Sequence, residues 1–298
     1  MRRWLTAAAL GGVAALVLAG CANPAGVDGN LLDDWPALEE PKQFVPEAGV
    51  CHRWPQQVGA LGVYQPIDCD EEHQVETMHL GTFNGDTATR TSSPPPGSAG
   101  WRAAWQECHR EITEALGADW RAARLSLAIL LPTDAGWSGG ARWFRCDLTE
   151  VKSLDDPDPV LRTGSLKGAL TDSSPLSYGC FNPKLSKNDE HIEQMTSIAC
   201  NKAHRSEFVG IYTAPDVTYQ AFSKDSDAIH RGCLGVIAKY AKLPDNSDMR
   251  YRTGTIYYPP GEEEWSAGDR GVKCFLWLSD RSLTRSVKDA GSTTLPIQ

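Results

Sequence analysis

Eight cysteines fall into two sets of four with nearly constant spacing, Cys51, Cys69, Cys108, Cys146 and then Cys180, Cys200, Cys233, Cys274. Corresponding members lie about 125 to 131 residues apart. A duplication that preserves local structure carries neighbouring residues with it, and here it does. Around the second cysteine the copies read Cys69-x3-His73-x2-Glu76 and Cys200-x3-His204-x2-Glu207, with Ile67 and Ile198 two residues before. Before the fourth cysteine, Trp137-Ser138-x-Gly140-x-Arg142 is matched by Trp265-Ser266-x-Gly268-x-Arg270, with Pro132 and Pro260 five residues upstream of each Trp. The chain is therefore two versions of one unit.

Each unit reads as strand, strand, helix, hairpin. Trp101, Ala104, Trp105, Cys108, Ile112, Ala115 and Leu116 recur at three- and four-residue steps, as do Ile229, Cys233, Val236, Ile237 and Tyr240, so each third cysteine lies on the apolar face of a helix. Asp225 or Asp227 is placed to cap the second helix. Leu125, Leu127, Ile129 and Leu131 alternate with small residues before Pro132, and Met249, Tyr251, Thr253, Thr255 and Tyr257 repeat the alternation, each predicting a half-buried strand. The fourth cysteines lie in strands from Trp143 to Leu148 and from Val272 to Leu278. The expected fold is α+β: two tandem homologous small domains, each a helix packed on an antiparallel sheet and stapled by disulfides. Copy 1 spans 46–150 and copy 2 spans 172–284. A Pro/Asp and Ser/Gly/Thr-rich linker (151–171) separates them, and a tail (285–298) follows.

The amino terminus assigns the compartment. Arg2 and Arg3 precede an apolar run from Trp4 to Leu18, then Leu18-Ala19-Gly20-Cys21, the order of a signal peptide (1–20) with a cleavage site. The run is shorter than the roughly 20 residues of a spanning helix. The small residues before Cys21 resemble the lipobox of bacterial lipoproteins, which makes Cys21 the expected lipid-bearing residue and the membrane a partner through that lipid. Residues 21–45 have the composition of a tether. The expected location is the extracytoplasmic face of the cell membrane. Losing Arg2 and Arg3 takes the formal charge from -9 to about -11, and no basic stripe is present, so nucleic acid is excluded as a partner on electrostatic grounds.

In an oxidising compartment eight cysteines read first as four disulfides. Of three connectivities per unit, first with second and third with fourth is favoured, because a cysteine on the apolar helix face meets a strand cysteine beneath it while the other two lie close in sequence. The competing reading is a metal held by Cys69 with His73 and Glu76, and by Cys200 with His204 and Glu207. No C-x-x-C pair supports it, and no metal or other cofactor is assigned. His73 and Glu76, and His204 and Glu207, are read as structural or binding groups: each imidazole bonds nearby backbone and each carboxylate orients it. Arg142 and Arg270 are expected to pair with an acid of their own domain. Trp101, Trp105, Trp120, Trp137, Trp143, Trp265 and Trp277 fill cores, with an exposed subset free to stack on sugar rings. No G-x-S-x-G elbow, H-E-x-x-H helix, S-x-x-K box or phosphate loop is present, so no catalytic residue is assigned and the chain is read as a non-enzyme.

With these residues in place, both units resemble the septum formation domain family of actinobacterial envelope proteins. Gly49-Val50-Cys51, Cys69 to Glu76 and Cys108 carry the resemblance in the first copy, and Gly179-Cys180, Cys200 to Glu207 and Cys233 in the second. The resemblance implies a cell-envelope protein linked to division septa, with a cell-wall or envelope-protein partner. An envelope hydrolase or metal-binding protein using the Cys-x3-His-x2-Glu sites is the alternative.

Overall fold

A computed structural model describes residues 43–297, apart from 57–58, 172–173 and 188–190. The signal peptide, Cys21 and the tether up to residue 42 lie outside the described residues.

The first module contains β1 (Val50–His52), β2 (Val75–Thr82), a short helix α1 (Gly85–Ala88), the long helix α2 (Ala99–Leu116), β3 (Leu125–Leu130), α3 (Asp134–Ser138) and β4 (Trp143–Glu150). Its strands form an antiparallel sheet in the order β1-β2-β4-β3. The second contains β5 (Cys180–Leu185), β6 (Ile192–Ile198), β7 (Ser206–Thr213), α4 (Tyr219–Lys224), α5 (Ser226–Ala241), β8 (Gly254–Tyr258), α6 (Glu262–Ala267) and β9 (Gly271–Trp277). Its sheet runs β6-β5-β7-β9-β8, which is the first arrangement with one strand added at the edge.

Local chemistry fixes the helix boundaries. Ser98 accepts a hydrogen bond from Trp101 N at the start of α2, and Gly117, at φ +87°, ends it in the left-handed conformation that glycine adopts without strain. Asp225 Oδ1 accepts from Ala228 N and caps α5. Even an irregularity is duplicated: β2 and β4 slip register between Thr77 and His79, and β7 and β9 between Phe208 and Gly210. In both modules the slip lies directly before the residue facing the fourth cysteine, His79 opposite Cys146 and Gly210 opposite Cys274. Such a bulge re-aims the strand where the helix disulfide must reach it. The alternation from Met249 to Tyr257 is only partly a strand, because Ser247–Tyr251 closes into a 3-10 turn begun by the Asn246 side chain, and β8 starts at Gly254.

Four disulfides join Cys51 to Cys69, Cys108 to Cys146, Cys180 to Cys200 and Cys233 to Cys274. The third-with-fourth bonds tie each long helix to the sheet beneath it. Around Cys108 and Cys146 pack Trp105, Ile112, Leu116, Trp120, Trp137, Phe144 and Leu148; around Cys233 and Cys274 pack Ile229, Ile237, Met249, Trp265 and Leu276.

The stretches between and after the modules are built into these cores. Leu166 and Leu170, within 151–171, and Leu176 lie in the first core, and Val287 and Leu295, within 285–298, lie in the second. At the other end of module 1, Phe44 packs edge-on against Tyr64 and Trp143, and its carbonyl accepts from Trp143 Nε1.

A third cluster lies on the opposite face of the second sheet. Phe181, Phe208 and Phe275 meet there with Met195 and Ile256, covered by Tyr178 and flanked by Ala122 and Leu154. Burial pushes the Tyr178 hydroxyl pKa up to about 12. Asp155 spans to the same module, accepting from Met195 N at 2.7 Å and Tyr258 Oη at 2.9 Å. Arg121 donates to Asp269 Oδ1 at 2.8 Å, an ion pair between modules in which both side chains are 8% exposed. The two copies therefore share packing.

Candidate functional site

The duplicated Cys-x3-His-x2-Glu element works as a clasp. In module 1, His73 N donates to Arg162 O and Arg162 N donates back to His73 O, laying residues 162–166 alongside the motif. Glu76, 3% exposed, then grips the laid-down segment: Oε1 accepts from Ser165 Oγ and Oε2 from Leu166 N, both at 2.6 Å. Module 2 repeats every step. His204 exchanges backbone hydrogen bonds with Leu283, and Glu207 accepts from Ser286 Oγ, from Val287 N at 2.9 Å and from Tyr240 Oη at 2.7 Å. A buried carboxylate persists only when hydrogen-bonded, and both are.

Each imidazole is held from one side. His73 Nδ1 lies 2.8 Å from Glu71 O and His204 Nδ1 lies 2.8 Å from Lys202 O. A carbonyl only accepts, so Nδ1 is the protonated nitrogen in both, while Nε2, fully buried, has no hydrogen-bond partner. The sulfurs nearest each glutamate, Cys51 with Cys69 and Cys180 with Cys200, lie within 4.8 Å of its carboxylate. They are joined to each other and so are not thiolate ligands.

The segments gripped by the two glutamates are themselves copies. Thr163-x-Ser165-Leu166-Lys167-x-Ala169 is matched by Thr284-x-Ser286-Val287-Lys288-x-Ala290. Ser165, Ser286 and Tyr240 are site residues that the cysteine pattern does not reveal; this second repeat is the signal that finds the two serines, while Tyr240 lies outside it on α5.

The Trp-Ser-x-Gly-x-Arg repeat is also structural. Trp137 and Trp265 are buried at the ends of α3 and α6, and each guanidinium lies over its own indole, Arg142 at 4.2 Å and Arg270 at 4.0 Å from the ring centroid. Arg142 Nη1 donates to Trp137 O at 2.7 Å and Arg270 Nη1 to Trp265 O at 2.5 Å. Among the described residues, the acid expected for both arginines is found in the second module alone, where Asp216 accepts from Arg270. In the first module α1 lies there instead, and Ala88 O accepts from Arg142 Nε.

One face distinguishes the copies. On the side of sheet 1 away from α2, Thr77 Oγ1 donates to Asp147 Oδ1 at 2.8 Å and lies 3.2 Å from His52 Nε2. Arg145 Nη2 donates to Asp147 Oδ2 at 2.7 Å and to Gln56 Oε1 at 2.9 Å. Counted from their neighbouring cysteines and glutamate, His52, Thr77 and Asp147 correspond to Phe181, Phe208 and Phe275, and the strand pairings agree: Thr77 faces Asp147 as Phe208 faces Phe275. Burial, reinforced by the Arg145 charge, lowers the His52 pKa to about 4, so the imidazole is neutral at pH 7. Burial also raises the Asp147 carboxyl, against the pull of Arg145.

The profile of the septum formation family matches residues 48–274, a span that includes both modules. The chain belongs to the septum formation family. No curated protein and no solved structure matches it significantly. A septum formation protein has its work in cell division or the envelope, and among the described residues no helix is long and apolar enough to cross a membrane.

Proposed function

We propose that the chain is a non-enzymatic envelope protein of the septum formation family, exported, cut before Cys21 and held by lipid on the extracytoplasmic face. There it binds a cell-wall or protein partner during septum formation. The observation that carries this reading is the use made of the repeated polar residues. Glu76 and Glu207 spend their oxygens on holding the chain, and His73 and His204 are fully buried beside them. A catalytic pair needs access to a substrate, and neither clasp has it. Four disulfides suit an oxidising compartment, and the acidic charge suits a surface anchored by lipid in place of cationic contacts.

The test is localisation with fractionation. A full-length fluorescent fusion is expected to label septa and to partition with membranes, and Cys21→Ala is expected to release it from the membrane fraction. A fusion spread through the cytosol, or membrane partition unchanged by Cys21→Ala, refutes the anchored reading. Retention of neither wall material nor envelope proteins on the purified protein refutes the binding role.

A further inference from the structure

Apolar side chains left in water are concentrated in one part of this protein. Among the described residues eight large apolar side chains are exposed, and four of them, Val45, Trp54, Leu61 and Val63, lie between residues 45 and 63. Trp54 is 60% exposed and Leu61 66%, whereas Trp105, Trp120, Trp137, Trp143 and Trp265 are buried in cores. Local structure brings the four together. Trp54 and Val63 line a common hollow, where Gln56 Nε2 donates to Val63 O at 2.7 Å. Leu61 and Val63 share one 3-10 turn, and the next residue, Tyr64, packs on Phe44 with ring centroids 5.0 Å apart and accepts from Glu47 N at 2.8 Å. Val45 lies between those two contacts. An exposed apolar patch marks a surface with an apolar partner.

The second module shows that the fold does not require the patch. Counted from the first and second cysteines, Trp54 corresponds to Pro183, Leu61 to Ile192 and Val63 to Gln194, and the pairings Cys51 with Ile67 and Cys180 with Ile198 fix that register. Pro183 is buried, Ile192 is half-buried, and Gln194 and its neighbour Glu193 are exposed and polar. The copy with the apolar surface is the one that the amino-terminal stretch enters.

That position selects the occupant. The described residues begin at Gln43, and the next one, Phe44, is already packed on Tyr64 beside the patch. Cys21 lies 22 residues before Gln43. Fully stretched, such a length spans at most about 80 Å, so a lipid on Cys21 keeps the patch near the bilayer. A tryptophan beside leucine and valine suits the membrane–water interface, where acyl anchoring is reinforced by a second contact. A formal charge of -9 gives no attraction to anionic headgroups, so the contact is apolar. Resting on the lipid-anchored reading above and deepening it, we propose that Val45, Trp54, Leu61 and Val63 insert into the extracytoplasmic leaflet, so that module 1 lies on the bilayer.

The test reconstitutes the full-length lipidated protein in phosphatidylcholine vesicles with brominated acyl chains, which quench tryptophan fluorescence inside the bilayer. Wild type is expected to show a quenched component that Trp54→Phe lacks. The double variant Leu61→Asp, Val63→Asp is expected to lose that quenching while keeping its melting temperature and its co-sedimentation with vesicles. In a Cys21→Ala background the residual vesicle partition is expected to fall at least about tenfold when Leu61→Asp and Val63→Asp are added. Equal quenching in wild type and Trp54→Phe overturns the proposal, as does quenching that the double variant leaves unchanged, or Trp54-dependent capture of an envelope protein without quenching. Wild type that sediments through Cys21 with Trp54 unquenched refutes the patch and leaves the anchor standing. Cys21→Ala that stays on vesicles as fully as wild type until Leu61 and Val63 are replaced refutes the anchor and supports the patch.

Discussion

Glu76→Ala is the perturbation that asks most of the clasp. It removes a carboxylate that takes hydrogen bonds from Ser165 Oγ and Leu166 N. The serine is exposed and turns to water at little cost. The Leu166 amide does not, because Leu166 is 1% exposed and packed in the first core. Losing a bond to a charged acceptor costs about 1.5–3 kcal/mol, and a stranded buried N–H about 1–3, so roughly 3 kcal/mol is expected in total. For a body of this size each kcal/mol moves Tm by about 2–4 °C, giving a fall of about 6–12 °C. Glu76→Gln keeps an oxygen for the Leu166 amide and is expected to lose about a third as much. Thermal melting by circular dichroism gives the magnitude, and limited proteolysis should show new cleavage near residues 162–170. A Glu76→Ala protein that melts within about 2 °C of wild type and resists cleavage there, yet loses a partner, refutes the clasp and makes Glu76 a binding residue.

Two further outcomes follow from buried charge. An unfolded histidine takes a proton near pH 6.5 whereas folded His52 does so only at about 4, so in that interval the unfolded state binds more protons and stability falls as pH drops. Denaturant melts at pH 7 and pH 5 should show this loss, and it should shrink in His52→Phe; an identical pH dependence in the variant contradicts the assignment. Asp269→Ala strips Arg121 of its partner in the second module and leaves Gly271 N unpaired, while Asp119 still neutralises the guanidinium. A loss of about 2 kcal/mol is expected, with calorimetric transitions of the two modules drawing apart. A single unshifted transition rules out a coupled junction.

Much of this was legible in the sequence for identifiable reasons. A helix whose cysteine recurs on its apolar face has to set that sulfur against the sheet, so Cys108 with Cys146 and Cys233 with Cys274 follow from periodicity. The clasped segments were not legible, because Thr163 to Ala169 and Thr284 to Ala290 are mostly small and polar and each commits one aliphatic residue, Leu166 or Val287, deeply to a core. A stretch held by backbone hydrogen bonds to a distant carboxylate leaves no periodicity to read. The buried polar cluster of the first module was hidden for a different reason: it is made of positions where the copies differ, and a search for what the repeats share passes over His52, Thr77 and Asp147.

The segment joining the modules puts Leu166 and Leu170 into one core, while Asp155 before them and Tyr178 after them belong to the packing of the other. The crossing is interlaced like fingers of two hands. A cut anywhere from 155 to 178 takes something from each half, so the doubling cannot be undone by simple truncation.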